Sequence, residues 1–444
     1  MMNRKNPKDS KRRIIKSLWL VLALVLLAGC GDAGALESSD LNAEEAGTLE
    51  PSDISEPSDA DIDGADVDGV DIDGVDADEA DAAIPEQSEP VEEPIEEPEP
   101  PHISLIMVGD MLLHTPVEES ALQEDGSYNF DALFTHTAEE IQQADLALVN
   151  QEVIIGGEEL GISGYPAFNA PYAVGDALVK AGFDVVCHGT NHALDKRKNG
   201  LMNCLNFWNT TYPEIEVLGI HDTAEDRDAL YIYEKDGIRV AVLNYTYSTN
   251  GVAMPQDMPF AVDMLEKEQV VADIQKAEEL ADFTIVCPHW GTEYLLEISS
   301  SQKKWTKVFL ENGVDLVLGT HPHVIEPIEW VQDEESGREM LVYYSLGNYV
   351  NWTSSSGEGI ANRMVGGMAQ VTLGVDEAGN IVIQEYGVMP LVAHLEEGVN
   401  GVTVYPLDEY TEELAGRNQI VKQDSIFSLS YCQELCGKVW EDLY

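Results

Sequence analysis

The feature that most constrains the fold of this chain is a short apolar motif that recurs six times after residue 102. Each copy is a run of five or six mostly β-branched and apolar residues, and each ends abruptly in polar ones. Runs of this length are typical of strands that are buried on both faces of a sheet. They lie at 103–108, 144–149, 183–187, 283–287, 314–318 and 340–344.

Helix-like patterns separate several of these predicted strands. They lie at 132–144, 172–181, 264–281 and 302–312. Strands that alternate with helices predict an α/β layered fold. Three later stretches are strand-like with no helix between them, and we expect them to form a second sheet. They are 239–247, 366–375 and 381–388.

The polar residues that follow the strands form one chemical series. In α/β sheets, the side chains that carry chemistry collect just past the carboxyl ends of strands. A single histidine in such a place is more often structural than a ligand. A buried group of carboxylates and imidazoles is different, because it is costly unless a cation or hydrogen bonds compensate it. The candidates are Asp110, Glu152, Asn191, His192, His289, His321 and His323.

These residues belong to a longer ordered series of motifs. The series is Gly109-Asp110, Asn150-x-Glu152, Asn191-His192, His289-Trp-Gly-x-Glu293-Tyr294, Gly319-x-His321-Pro-His323 and Tyr344-Ser-Leu-Gly-Asn348. It resembles the motif set of the CapA-type poly-γ-glutamate capsule synthesis proteins, which are similar in turn to the calcineurin-like metallophosphoesterases. The resemblance implies an α/β fold with four layers, an αββα sandwich of two central sheets flanked by helices.

The resemblance also implies a metal centre of two divalent ions, with manganese as the expected metal. By this likeness Asp110 and His323 hold one ion, and a second group of three holds the other. That group is Asn191, His289 and His321. Glu152 takes the bridging place, and His192 lies outside the ligand set, where it protonates a leaving group or steadies the transition state. Two ions about 3.5–4 Å apart activate water and neutralise a developing oxyanion.

Two departures from the metallophosphoesterase pattern leave the number of ions open between two and one. The first motif of that superfamily has a histidine two residues after its Asp, where this chain has Leu112. His114 either substitutes for that histidine or lies on an exposed turn. The bridging residue is Glu152, which is one methylene longer than Asp, and this changes how closely it can bridge two ions.

Three further residues have two interpretations each. Glu293 either hydrogen-bonds a ligating imidazole or is an exposed loop carboxylate. Tyr294 either contacts the substrate or packs on Trp290. Asn348 either supports the ligands or stabilises a turn after Gly347.

The N-terminus has the order of a signal peptide. A basic stretch precedes an apolar run at 18–28, which is too short for a comfortable membrane span, and Gly29 and Cys30 follow. The 27–30 segment resembles a bacterial lipobox, which predicts cleavage and a lipid on the Cys30 sulfur. The alternative is an uncleaved anchor helix. Both interpretations place the rest of the chain outside the cytoplasm, so we expect it at the extracellular face of the cell membrane.

The next segment has no Lys or Arg from residue 31 to 101 and is rich in acidic residues. It has too few large apolar side chains to offset its conformational entropy, and we predict a disordered acidic tether. The predicted domains are therefore a lipoprotein signal peptide at 1–30, the tether at 31–101, a folded domain at 102–395 and its C-terminal extension at 396–444.

Charge and cysteine content narrow the class of protein. The formal net charge of −58 would repel a phosphate backbone, so we expect no nucleic-acid partner. Cys187 and Cys287 lie in apolar runs and are interpreted as small buried hydrophobes. Cys432 and Cys436 are either neighbours on one helix or a disulfide.

Three functions remain open. The first is a hydrolase or transferase, dependent on divalent metal, that acts on an anionic cell-envelope polymer such as poly-γ-glutamate in capsule assembly. The second is a non-catalytic accessory protein that binds the polymer, or helps a membrane synthase to export it. The third is a metal-binding or solute-binding lipoprotein.

Overall fold

The computed structural model describes residues 100–396 and 401–443. The predicted signal peptide, Cys30 and the tether up to residue 99 lie outside the described residues, so the predictions for them stay predictions, as do the domain boundaries. Within the described ranges, no helix is both long and apolar enough to cross a membrane.

One sheet has eight strands and is parallel on one side and antiparallel on the other. Its order is β14-β13-β12-β1-β2-β3-β4, and β11 adds to the end of β1. Strands β1 to β4 run parallel, whereas β12 pairs antiparallel with β1, β13 with β12, and β14 with β13. The strands are β1 (His102–Met111), β2 (Leu146–Asn150), β3 (Val185–Cys187), β4 (Glu216–Leu218), β11 (Asn348–Val350), β12 (Val365–Val375), β13 (Ile381–Leu395) and β14 (Val402–Pro406).

The second sheet has six strands in the order β5-β6-β7-β8-β10-β9. Its four central strands run parallel, and the two edge strands are antiparallel to their neighbours. The strands are β5 (Tyr231–Lys235), β6 (Ile238–Thr246), β7 (Phe283–His289), β8 (Leu316–Leu318), β9 (Ile328–Gln332) and β10 (Glu339–Tyr343).

Nine α-helices lie in the described part of the chain. They are α1 (Thr115–Ala121), α2 (Ala138–Gln143), α3 (Ala173–Ala181), α4 (Arg197–Thr211), α5 (Ala224–Asp228), α6 (Lys267–Leu280), α7 (Ser300–Asn312), α8 (Glu412–Arg417) and α9 (Leu429–Val439). The best-defined start is that of α7, where the Ser299 and Gln302 side chains form a capping box.

Alternation along the strands places the apolar side chains in three separate cores. In β1, Ile106 and Val108 pack against α1, α3 and α4. Ile103 and Leu105 point the other way, into a core shared with β6, β7, β8 and β10. The far face of the six-stranded sheet packs on α6 and α7. The layers are therefore helix, sheet, sheet, helix, and the αββα prediction is confirmed.

Two expectations about the elements are wrong. The strand-like stretches 239–247, 366–375 and 381–388 do not share one sheet: β6 lies inside the six-stranded sheet, whereas β12 and β13 extend the eight-stranded sheet beside β1. The helix predicted at 132–144 is a 3-10 turn followed by the short α2. The 3-10 turn ends at Phe134, and Thr137 precedes α2, where its buried hydroxyl lies 2.7 Å from the Tyr349 hydroxyl.

The C-terminal stretch closes one side of the core between the sheets. Helix α9 contributes Cys432, Leu435 and Cys436 to that core. Both cysteines are buried and free, so they are neighbours on one helix. Cys187 and Cys287 are buried and free as well, as predicted.

Candidate metal centre

The candidate site lies where the carboxyl ends of strands from both sheets meet. Asp110 is near the end of β1, Glu152 follows β2, and Asn191 and His192 follow β3. From the other sheet, His289 ends β7, and the turn after β8 carries the remaining two histidines. All seven predicted ligand and catalytic side chains are buried.

Asp110 is held between two asparagines on neighbouring strands. Asn150 on β2 and Asn348 on β11 are its register partners in the sheet. The Asn150 amide donates a hydrogen bond of 2.8 Å to Asp110 Oδ1. Two histidines approach from the other sheet: the His321 backbone N–H lies 3.3 Å from both carboxylate oxygens, and His323 Nδ1 lies 3.0 Å from Oδ2. These contacts fix the carboxylate at the meeting point of the sheets.

Glu152 lies at the centre of the histidines without a hydrogen bond. Its Oε1 is 3.6 Å from His323 Nε2, 3.7 Å from His289 Nε2 and 3.9 Å from His192 Nε2. These separations are too long for hydrogen bonds, and both carboxylate oxygens are enclosed without a partner. A carboxylate in this position is the kind of group that a bound cation would satisfy.

Among the described residues, Glu152, His321 and His323 form a potential metal-binding group, since each offers one ligand atom and the three atoms lie within 4.8 Å of one another. His321 Nδ1 is buried with no hydrogen-bond partner. Both histidines have positive φ angles, 97° and 58°, which non-glycine residues rarely adopt. Backbone strain of this kind concentrates at functional sites, where the surroundings hold it in place.

Burial and mutual charge interactions shift the pKa values of the ionisable groups in the cluster. Burial, followed by the charge of Glu152, raises the pKa of Asp110. Burial alone would raise the pKa of Glu152 too, but the charges of His323 and His289 hold it well below its usual range. Burial lowers the pKa of His323, yet the charge of Glu152 and the hydrogen bond with Asp110 raise it to about 9. Burial and the neighbouring histidines lower the pKa of His321.

His192 is oriented by a carboxylate that its own turn supplies. Its Nδ1 lies 2.7 Å from Asp195 Oδ2, and the same oxygen accepts a hydrogen bond of 2.7 Å from the Phe168 backbone N–H. The Phe168 ring packs edge-on against His192 at 4.7 Å between centroids. With Nδ1 engaged in this way, Nε2 is the nitrogen that faces Glu152.

Other side chains orient the remaining candidates. His289 Nδ1 lies 3.0 Å from the Thr320 hydroxyl, and its Nε2 lies 3.0 Å from Asn191 Oδ1. Asn348 Oδ1 lies 3.1 Å from His323 Nδ1, and its amide donates to the His323 and Arg363 carbonyls. Asn348 therefore supports a candidate ligand in addition to its place after Gly347.

An open cleft of about 650 Å³ adjoins the cluster, and Leu112, His114, Glu293 and Tyr294 line it. His114 packs edge-on against Phe168, and burial followed by the charge of His323 lowers its pKa to about 4. His114 does not belong to the group of Glu152, His321 and His323. Tyr294 packs on His323 at 5.8 Å between centroids and on Arg363, whereas Trp290 packs on Phe309 and Tyr344.

The structure thus brings the seven predicted residues together, with His114, Glu293, Tyr294 and Asn348 around them. Their assignment as ligands stays a prediction. Sequence reasoning missed Asn150, Asp195, Thr320 and Arg363. Asn150 lies inside the Asn150-x-Glu152 motif, and Asp195 follows His192 by three residues, so the sequence carries a signal for both. Arg363 had no signal in the sequence.

The chain is similar in sequence to known bacterial capsule synthesis proteins. The family model for "Bacterial capsule synthesis protein PGA_cap" matches residues 104–353. The chain is 25% identical over 272 residues to the "Capsule biosynthesis protein CapA" of Bacillus anthracis, covering 59% of this chain and 63% of that protein. It is 30% identical over 181 residues to the "PGA biosynthesis protein CapA" of Bacillus subtilis (strain 168), covering 40% of this chain and 45% of that protein.

Among solved structures, the NAD nucleotidase (NadN) of Haemophilus influenzae is similar, with a TM-score of 0.43 and 13% identity. The similarity covers 67% of this chain and 59% of the nucleotidase. The matches to both capsule proteins and to the nucleotidase span less than two thirds of those proteins' own lengths.

Proposed function

The chain belongs to the bacterial capsule synthesis protein family PGA_cap, and from this membership we propose that it acts in capsule polymer synthesis as a divalent-metal-dependent hydrolase or transferase. The family match includes every predicted ligand, from Asp110 to His323. The proposed substrate is an anionic envelope polymer of the poly-γ-glutamate kind.

The observation that carries the proposal is the position of Glu152. Its two buried oxygens have no hydrogen-bond partner, and three histidine nitrogens surround one of them at 3.6–3.9 Å. Together with Asp110, His321 and Asn191, these donors suit hard or intermediate divalent ions such as manganese. When bound, such ions would supply positive charge that stabilises a developing oxyanion and favours ionisation of water.

The chain's own residues account for the proton that hydrolysis must deliver. Asp195 Oδ2 lies 2.7 Å from His192 Nδ1, and in the imidazolium form His192 would donate Nδ1–H to Asp195 and carry on Nε2 the proton that goes to the leaving group. One water molecule is consumed: its hydroxyl joins the attacked centre, and its proton restores the balance at the histidine. Buried Phe168 limits the rotation of the His192 ring, so that Nε2 keeps facing Glu152.

The proposed setting is the extracellular face of the membrane, with a lipid on Cys30 as the anchor and membrane synthase or export subunits as partners. The apolar run at 18–28 followed by Cys30 supports the anchor. A chain of net charge −58 would repel an anionic polymer unless bound cations reverse the local potential. Bound metal is therefore required for polymer binding as well as for chemistry.

One observation favours a second function, that of a non-catalytic accessory protein. Leu112 is a buried, apolar residue that lines the cleft at the place where the metallophosphoesterase pattern has a histidine. Loss of that ligand would leave a centre that binds polymer through metal without turning it over.

The test uses the full chain loaded with manganese and two substrates, poly-γ-glutamate and a chromogenic phosphodiester. We expect turnover that EDTA abolishes. His192→Ala should lower kcat by about 10²–10⁴ with unchanged metal content, because it removes a general acid and no ligand. Asp195→Asn should lower kcat in the same direction.

The control for this test is His136→Ala, a histidine of the described region that stacks on Tyr405 outside the cluster. It should retain wild-type turnover. Metal-dependent polymer binding without turnover of either substrate would reject the hydrolase and favour the accessory function.

A further inference from the structure

The cleft beside the candidate metal centre carries a recognition surface that the proposed chemistry does not use. Aromatic and small polar side chains line it, including Tyr165, Tyr294, Trp352 and Ser354. Among the described residues that line it, Arg363 is the one Lys or Arg. In a chain with 24 basic and 82 acidic residues, a lone arginine in a cleft is a distinct chemical feature.

Arg363 is tied to the metal centre through its main chain and through an aromatic ring. Its carbonyl accepts a hydrogen bond of 2.9 Å from Asn348, whose Oδ1 lies 3.1 Å from His323 Nδ1. Its guanidinium carbon lies 3.5 Å from the centroid of the Tyr294 ring, and that ring packs on His323. A stacked guanidinium keeps its planar fork directed sideways, toward a ligand beside the ring.

The guanidinium has hydrogen-bonding capacity that the protein does not use. Arg363 Nε is enclosed and has no hydrogen-bond partner. Four of the other five described arginines pair with carboxylates, namely Arg227, Arg239, Arg338 and Arg417. No such ion pair involves Arg363 within residues 100–396 and 401–443. A buried donor without a partner calls for an explanation, and a bound oxyanion is one.

Glu293 is the carboxylate nearest in effect to Arg363, and its negative charge would oppose the binding of an anion there. It lines the same cleft and acts on Arg363 through space, where its charge raises the arginine pKa against the lowering by burial. It is exposed, so water screens its charge. Glu293 makes no ion pair with Arg363, so an anionic ligand can form direct hydrogen bonds to the guanidinium without displacing a protein carboxylate.

We propose that Arg363, held on the Tyr294 ring, is the anion-binding residue of the cleft and takes a carboxylate of the substrate polymer. This inference rests on the proposed function for the identity of the polymer. Guanidinium and carboxylate match in a planar, two-point arrangement. A polymer with a carboxylate on every unit can place one on Arg363 while a neighbouring unit reaches the metal centre. Free phosphate offers the same oxyanion chemistry and is the competing source.

The experiment measures binding of a short γ-linked glutamate oligomer and, separately, of inorganic phosphate, to the full chain loaded with manganese. We expect Arg363→Gln to weaken oligomer binding by about tenfold or more, and Arg363→Lys to weaken it less, because lysine keeps the charge and loses the fork. Glu293→Gln should tighten it. Arg417→Gln, which changes an arginine outside the cleft, should leave it unchanged.

Folding and metal content are measured for each variant. A further variant, Tyr294→Ala, removes the ring on which the guanidinium stacks and leaves Arg363 itself in the chain. It should weaken binding in the same direction as Arg363→Gln. Unchanged oligomer affinity in a folded, metal-loaded Arg363→Gln variant would overturn the inference, as would wild-type protein that binds neither probe. Binding of phosphate but not of the oligomer would reject the carboxylate assignment.

Turnover separates this inference from the proposed function. Arg363-dependent binding without any turnover would reject the hydrolase and keep the anion site. Turnover with the same KM in wild type and Arg363→Gln would keep the hydrolase and reject the anion site.

Discussion

Glu152 is a buried carboxylate whose negative charge is only partly compensated by its neighbours. The carboxylate is fully enclosed, and the nearest histidine nitrogens stand beyond hydrogen-bond distance. Moving a charged group out of water into the protein interior costs on the order of several kcal/mol, unless an opposite charge or hydrogen-bond donors compensate it. The histidines do so in part, and a divalent cation between them would complete the compensation.

At the level of single residues, we predict that Asn348→Ala lowers the metal affinity by about 10- to 100-fold. The Asn348 side chain lies against His323 Nδ1 and so fixes which nitrogen of that ring faces Glu152. Chelator competition on the purified chain measures the affinity. Asn380→Ala, in an exposed turn where the side chain contacts Asp376, is the matched control and should bind metal as wild type does.

An unchanged affinity in Asn348→Ala would mean that His323 is positioned without this contact, or that it is not a ligand. The free energy of unfolding should be measured beside it, because Asn348 also bonds two main-chain carbonyls.

The site residues were predictable from the sequence where they directly follow a recognisable buried strand. Asp110, His289 and His321 follow buried apolar runs, so their place in the sequence implies their place in space. Arg363 lies far from those runs in the chain and reaches the cleft through a 3-10 turn after β11. Its position depends on how that turn packs, which no local pattern in the sequence records.

Among the elements, the strand-end glycines allow main chains to approach closely where the site is formed. A Cβ on Gly109 would lie 2.0 Å from the Gly347 carbonyl oxygen. That oxygen accepts the Asp110 backbone N–H at 2.9 Å. Glycine at 109 therefore lets β1 and the segment before β11 join at the residue that carries a candidate ligand.

We predict that Gly109→Ala destabilises the protein by about 1–3 kcal/mol, because the added methyl overlaps a main-chain atom that cannot move freely. It should also lower metal content, since Asp110 must shift with the strand. Urea unfolding and metal analysis check the two effects. Gly387→Ala is the control: it lies in β13 with no atom within 4 Å of the added Cβ, and it should leave both values near wild type.

A Gly109→Ala protein with wild-type stability and metal content would show that the close approach of β1 to Gly347 is not required. A loss of stability with full metal content would separate the packing of the strand from the position of Asp110.

The elements themselves were predictable where the periodicity was strong. Helices α3, α6 and α7 lie close to the predicted ranges because each has a regular apolar face. Helix α4 was missed because asparagine and threonine dominate its exposed positions and Gly200 lies among its buried ones. Its buried Leu201, Cys204, Leu205 and Trp208 nevertheless have helical spacing. The sheet to which β12 and β13 belong was not predictable, because strand pairing is a long-range property.

At the scale of the whole molecule, an ion-pair network connects the β4 end of one sheet with the helix layer of the other. His221 follows β4 and lies 3.0 Å from Asp226 and 2.8 Å from Asp263. Arg227 on α5 pairs with both Asp263 and Asp273, and the latter belongs to α6. These contacts lie away from the candidate metal centre.

The network predicts a pH dependence of stability. Burial lowers the pKa of His221, but the hydrogen bonds and charges of Asp226 and Asp263 raise it from 6.5 to about 9. The folded state therefore holds a proton that the unfolded state loses above about pH 6.5. The stabilisation is fully present below about pH 6.5 and is lost as the pH rises through about 9.

Relative to His221→Gln, wild type should be more stable by about 1–3 kcal/mol at pH 6, and the difference should fall toward zero by pH 10. Urea unfolding of both proteins across this range measures it. Glu216 titrates nearby, with its pKa raised to about 7 by burial, and the comparison between two proteins that both retain it reduces its influence. A difference that grows with pH would contradict the assignment.

The most direct test of the central claim, that the strand-end cluster is a divalent-metal site, is the metal content of the full chain. The protein is loaded with manganese, dialysed exhaustively, and compared with an Asp110→Ala, His321→Ala double variant. We predict two ions per wild-type chain, lost in the variant. One ion would keep the site and remove the two-ion chemistry. No retained ion, or the same content in both proteins, would contradict the account.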